Sequence, residues 1–199
     1  MYQSKWGYYA DFVVYPIAVL ALAWAVLRSS HSQFLGVFLV SGAAGFFAWT
    51  LVEYAMHRFV FHAVPAIARM HDRHHANPSA FVGTPSWLSL AAFILGAFLP
   101  LWATAGLEIA GGAAAGLMMG FTWYITVHDL IHRRPLNRGS LLYEAKLRHA
   151  RHHAAREEGN YGVTTGFWDS VLGTAIDRAP GEGSSRWARS SAPPKAPPA

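Results

Sequence analysis

Four apolar stretches, about Tyr8–Leu27, Phe34–Val52, Trp87–Ala105 and Ile109–Val127, set most of what this chain can fold into. A helix of nineteen residues covers roughly 28 Å at a rise of ~1.5 Å per residue, close to the hydrocarbon thickness of a bilayer. Lipid offers no hydrogen bonds, so each stretch must satisfy its own backbone groups, and a helix does that. The first two stretches are joined by the short polar run from Arg28 to Gln33 and the last two near Gly106–Glu108, which predicts two antiparallel hairpins. Pro16 and Pro100 fall inside spans, where membrane helices tolerate them. Gly42, Gly45, Gly112, Gly116 and Gly120 leave room for helices to approach closely. Trp6, Tyr8, Tyr9, Trp24, Trp87, Trp102 and Trp123 lie near span ends, as an aromatic belt would.

Composition agrees: 53% of the residues are hydrophobic and 14% charged, too apolar for an ordinary soluble domain. The first stretch lacks a small-residue cleavage site and reads as a membrane helix, not a secretory signal. Of the 16 Lys and Arg, all but Arg28 fall on the side that holds the N-terminus, the middle segment and the C-terminal tail. The positive-inside rule makes that side cytoplasmic. This bias accounts for the net charge of +5, and no nucleic-acid partner is expected. The expected architecture is therefore all-α, integral and multi-pass: four transmembrane helices in two hairpins plus a cytoplasmic helical cap. Residues 1–180 are expected to form one membrane-embedded domain, and the Pro/Ser/Ala-rich residues 181–199 a disordered tail.

Ten of the 11 histidines fall into four tight groups, all on the expected cytoplasmic side. His57 and His62 leave the second span; His71, His74 and His75 follow. His128 and His132 leave the fourth span; His149, His152 and His153 follow. On a helix, positions i, i+3 and i+4 share a face, so each H-x-x-H-H group presents three imidazoles in one direction, and His128 and His132 form a same-face pair. His57 and His62 are five apart, about 140° around an ideal helix. They are expected to serve different metals unless a helix end or a distortion lies between them.

A solitary histidine at a membrane boundary, such as His31 in the opposite turn, is an interfacial polar residue. Ten clustered imidazoles are costly to desolvate and repel one another when protonated, so a metal site is the reading that fits. Ten ligands exceed the capacity of one ion, and two ions with about five nitrogens each leave a position open. Imidazole suits Fe, Zn, Cu and Ni alike. The chain has no cysteine, which excludes thiolate zinc sites, iron–sulfur clusters, disulfides and a thiol nucleophile. Closed structural zinc normally takes four ligands, so a two-ion, all-histidine site points to catalysis. Glu53, Asp72, Asp129 and Glu144 are candidates for taking the outer N–H of a ligating imidazole.

These residues resemble the fatty acid hydroxylase/sterol desaturase superfamily of membrane di-iron oxygenases, and most of all its fatty-acid 2-hydroxylase branch. The run Glu53–His62 is similar to that branch's first histidine box, and the other three groups to the remaining boxes in order. The run Asn160–Thr174 is similar to its closing segment. The middle segment departs from the branch, with Gly83-Thr84-Pro85 where a Met-Pro-Pro-like run would stand. Bacterial β-carotene hydroxylases, a related group, show some likeness around His128 and His149.

The resemblance implies that all ten histidines bind metal. Asn160, Tyr161, Trp168 and Asp169 are candidates for capping the site and lining a substrate entrance. The resemblance implies two iron ions, with zinc possible as purified, and O₂ as cosubstrate. It also implies a bilayer lipid as substrate and a separate ferredoxin- or cytochrome b5-like electron donor. The leading expectation is hydroxylation of a C–H of a fatty acyl chain. Carotenoid ring hydroxylation, desaturation, and a non-enzymatic metal-binding or transport role remain open alternatives.

Overall fold

The computed structural model describes residues 1–29, 35–154 and 159–176. His31 and the tail 181–199 lie outside the described residues. All regular elements among those described are helices. A short α1 (Lys5–Tyr9) leads into α2 (Asp11–Ser29), and α3 is Leu35–Ala55. The chain then widens into a π-helical segment, Met56–Phe61, before α4 (Pro65–Ala76). Next come α5 (Ser86–Phe93), a second π segment (Ile94–Phe98) and α6 (Leu99–Ala105). The last helices are α7 (Leu107–Arg133), α8 (Leu141–Ala154) and the one-turn α9 (Phe167–Val171).

Among the described residues, three helical runs are long and apolar enough to cross a membrane: Lys5–Ser29, Leu35–Phe61 and Ser86–Ala105. Their large side chains point outward, among them Leu20, Trp24, Val40, Phe47, Leu95 and Trp87. A soluble protein could not leave this much apolar surface in water, whereas lipid covers it without cost. The fourth apolar stretch lies within α7, which is not among the three. Its glycines and alanines dilute its hydropathy, and they do so because α7 is the central helix: ten of its residues are buried, seven of them Gly or Ala.

The expected glycine contacts are where α3 and α7 meet. A Cβ on Gly116 would collide with the carbonyl of Gly42, and one on Gly45 with the carbonyl of Ala113. The turn between α6 and α7 falls at Gly106, whose φ of 87° suits glycine and few other residues. Alongside this seam, Tyr15, Trp49, Phe93 and Phe121 stack edge to face and tie α2, α3, α5 and α7 together. At one end of α7, Val127, Ile131, Ala145 and Val163 form a small buried core that seats α8 and the 159–176 segment. The histidines gather at that end.

Candidate metal centre

The histidine rings converge from four helical pieces into two adjoining groups. Ring nitrogens of His57, His62, His71, His75 and His152 all lie within 4.8 Å of one another, and so do those of His74, His132, His149 and His153. His128 packs against the second group, with ring centroids 4.6 Å from His132, 4.7 Å from His74 and 4.9 Å from His149. The two groups touch where His75 stacks on His153, centroids 4.2 Å apart.

Two features depart from simple helical reasoning. His57 and His62 share one group, with rings stacked at 5.2 Å, so the expectation that they serve different metals is corrected. The cause is the π segment Met56–Phe61: its wider turn brings i and i+5 toward one face, where an α-helix would splay them. Nor does each H-x-x-H-H group point one way. His71 and His75 of α4 join the first group while His74 crosses to the second; His149 and His153 of α8 join the second while His152 crosses to the first.

The spacing suits a metal. Nε2 of His71 lies 3.0 Å from Nε2 of both His57 and His75, and Nε2 of His152 lies 3.0 Å from that of His75 and 3.3 Å from that of His62. In the second group the Nε2 atoms of His149 and His132 are 2.9 Å apart, and those of His153 and His149 3.0 Å. Two nitrogens bound at 2.0–2.1 Å sit about 2.9 Å apart at right angles and about 3.4 Å apart at the tetrahedral angle. Most of the observed separations lie near the right-angle value and the His62–His152 pair near the tetrahedral one, so each group could hold an ion.

Protonation states agree. His57 Nδ1 is 2.6 Å from the carbonyl of Tyr161, and His152 Nδ1 is 2.8 Å from that of Gly159. A carbonyl can only accept, so each Nδ1 carries the proton and each Nε2 offers its lone pair inward. Nε2 of His74 is buried with no hydrogen-bond partner among the described residues, a position a metal would satisfy. Burial, with neighbouring imidazoles, holds His74 down at about 3. Burial likewise holds His152 at about 4, against the raising effect of the Gly159 carbonyl. His71 and His149 are lowered too, again chiefly by burial. These imidazoles are neutral at pH 7, as metal ligation requires.

Glu53 and Asp129 bond to partners other than an imidazole. Glu53 is buried and accepts from the backbone N–H of Val163 (2.6 Å), the N–H of Thr164 (2.8 Å) and the Thr164 hydroxyl (2.6 Å). It reaches the histidines through the chain, by pinning the segment whose carbonyls hold His57 and His152. Asp129 accepts from the Tyr9 hydroxyl (3.3 Å) and from Nε of Arg133 (2.7 Å). Asp72 and Glu144 are exposed.

The closing segment is built the same way. Asp169 accepts from the N–H of Tyr161 and Gly162, both at 2.8 Å, and from the Thr174 hydroxyl. Asn160, in the left-handed region at φ 54°, bonds the carbonyl of Arg148 and both backbone groups of Ile176. Both side chains hold the shape of the loop. Tyr161 lies edge-on to His62, 5.6 Å between centroids, and caps the first group. Trp168 donates to the Thr50 hydroxyl at 3.0 Å, beside a cavity of about 130 Å³ bordered by Phe46, Trp49, Gly120, Trp123 and Thr164. Gly159, Val163 and Thr50 were not singled out from the sequence. Two of them act through backbone atoms, which leave no mark on composition or spacing.

Comparison with known proteins follows this geometry. A profile described as fatty acid hydroxylase matches residues 42–174. A fatty acid 2-hydroxylase of Macaca fascicularis is 30% identical over 192 residues, covering 88% of this chain and 50% of the relative. A ceramide very long chain fatty acid hydroxylase of Schizosaccharomyces pombe is 32% identical over 185 residues, covering 86% of this chain and 51% of the relative. The chain thus spans about half the length of these curated relatives. A solved structure described as full-length Scs7p, with only its hydroxylase domain visible, superposes with a TM-score of 0.74 at 25% identity, covering 87% of this chain and 69% of that one.

Proposed function

The chain belongs to the fatty acid hydroxylase family, and from that premise we propose that it is a membrane hydroxylase that inserts one atom of O₂ into a C–H of a fatty acyl chain, at the carbon next to the carboxyl carbon. In this reading the ten histidines hold two iron ions, and a separate ferredoxin- or cytochrome b5-like protein supplies two electrons. The observation that carries it is the pair of converging imidazole groups at spacings that suit an ion. Iron bound there supplies the oxidising power toward an unactivated C–H that no side chain has.

The chain's own residues do the rest. Tyr161 and Gly159 fix the tautomers of His57 and His152. The buried 160–163 segment keeps water off the first group. The cavity between α3 and α7, under Trp168 and Thr164, receives the acyl tail from the bilayer. α7 is the fourth span: residues 109–127 cross the membrane, partly sheltered from lipid by the other helices, and α4, α8 and the closing segment form the cytoplasmic cap. Residues 1–180 act as one unit, with both termini on the cytoplasmic side. Nitrogen sites prefer zinc or copper to ferrous iron, so purified protein is expected to carry adventitious zinc. The names of the relatives favour an acyl chain over a carotenoid ring.

The test is lipid mass spectrometry of expressing cells under ¹⁸O₂, with His152→Ala as control. One labelled hydroxyl on an acyl chain in the wild type alone is the expected result. Absence of labelled lipid, with an electron donor supplied, would sink the reading.

A further inference from the structure

The two histidine groups differ in what stands behind them. In the first, the outer nitrogens of His57 and His152 are tied to the carbonyls of Tyr161 and Gly159. That backbone is itself tied down, by Asp169 at Tyr161 and Gly162 and by Glu53 at Val163 and Thr164. To swing either imidazole off an ion, a chain of buried hydrogen bonds must break. In the second group, Nδ1 of His149 and Nδ1 of His153 are buried and have no hydrogen-bond partner among the described residues. Among the described residues, turning those rings breaks no hydrogen bond behind them.

Access differs in the same sense. A cavity of about 280 Å³ reaches His132, His149 and His153 past Pro78, Lys146 and Ala150. Ala150 is exposed at its rim, and Lys146 is half-buried with its ammonium on the carbonyl of Arg134. No histidine of the first group lines this cavity.

Resting on the reading of the centre as a two-ion site, we propose that the two ions are held unequally: the one on His74, His132, His149 and His153 exchanges with solution through this mouth, and the one on His57, His62, His71, His75 and His152 is locked. Release requires ligands to rotate away one after another while water or a chelator enters. Only the second group offers both freedoms. Outer hydrogen-bond partners of metal-bound imidazoles change affinity about 10–100-fold, which sets the expected gap.

The experiment uses the full chain in detergent, loaded with zinc and transferred into excess EDTA, with zinc per chain followed by mass spectrometry over time. Two phases of equal amplitude are expected, their rates at least about 10-fold apart. Ala150→Trp, which fills the mouth, should slow the fast phase and leave the slow one. Slower release cannot come from damage to the fold, since damage speeds loss. Should Ala150→Trp fail to fold, Lys146→Trp at the same rim replaces it, and the two phases of the unaltered protein still decide. One common rate, or a fast phase that the rim substitution leaves unchanged, overturns the proposal. A chain that takes up no zinc, or only one ion, fails the two-ion reading itself, a distinguishable result.

Discussion

The two histidine groups use the same parts and reach unequal ends. Each takes a pair from the helix that precedes it, a pair four apart from one cap helix, and a single crossing histidine from the other. In the second group the preceding pair, His128 and His132, sits on regular α7; in the first, His57 sits on the π segment that follows α3 and His62 caps its end. The π turn brings both histidines into a five-nitrogen group, whereas α7 brings His132 into a four-nitrogen group and leaves His128 beside it. The closing segment then braces the first group alone. Similar motifs therefore need not make similar sites. Helix type and outer hydrogen bonds set them apart.

The largest expected effect tests the crossing. His74→Ala and His152→Ala should each lower product formation by more than about 100-fold, beyond the loss typical of an outer partner. Each should also remove about one ion per chain, and from the group opposite its own helix. In the zinc-release experiment His74→Ala should lose the fast phase and His152→Ala the slow one. If His152→Ala lost the fast phase instead, α8 would serve one ion only and the exchange between helices would be wrong.

The next effect isolates the brace. Glu53→Ala leaves two buried N–H groups and one hydroxyl without their acceptor, a loss of about 3 kcal/mol. Its effect on zinc should fall on the slow phase, because Glu53 acts only through the segment that holds His57 and His152. Glu53→Gln keeps a carbonyl oxygen and should recover part of the retention. Equal acceleration of both phases would make Glu53 a general stabiliser and not a positioning residue.

A smaller effect concerns the distance between the groups. α3 leads into the His57/His62 pair and α7 carries the His128/His132 pair, and the Gly116–Gly42 contact sets how closely the two helices lie. Gly116→Val forces them apart, costing about 1–3 kcal/mol by overpacking. Activity should drop further than zinc content, since each group survives while their separation changes. If activity and zinc fall in step, the separation has no role of its own.

Much of this was legible beforehand, for reasons that show where legibility stops. Helical spacing gave the His128/His132 pair, and small residues marked the α3–α7 seam and the turn at Gly106. The π turn was hidden because a period of about 100° per residue was assumed, and nothing in the residues from Met56 to Phe61 signals the wider one. The crossing of His74 and His152 depends on how α4 and α8 face each other, a tertiary fact. Glu53 was found for the wrong partner: its place one turn before His57 suggested an imidazole, and it holds backbone more than a hundred positions away. α7 looked like its three apolar neighbours, yet its glycines and alanines serve helix contact more than lipid.

The smallest effect is read in metal-free protein, where the two crossing imidazoles can be compared by titration. Burial holds the folded-state values at about 3 for His74 and about 4 for His152, against about 6.5 in an unfolded chain. Below pH 6.5 the unfolded chain takes up protons that the folded chain refuses, so stability declines as pH falls. The decline should begin near pH 6.5 and continue toward pH 4, where His152 itself begins to protonate in the fold. Above pH 7 both forms are neutral and these groups add no slope. The thermal midpoint in detergent should therefore be level from pH 8 to 7 and drop by at least a few degrees between pH 6.5 and 5. His152→Ala should flatten part of that drop, and so should His74→Ala. Zinc should steepen the unaltered protein's curve, because binding demands the neutral imidazoles that acid removes. A drop that His152→Ala and His74→Ala both left unchanged would mean that these rings do not resist protonation in the fold, and the inward-facing lone pair at His152 would have to be reassigned.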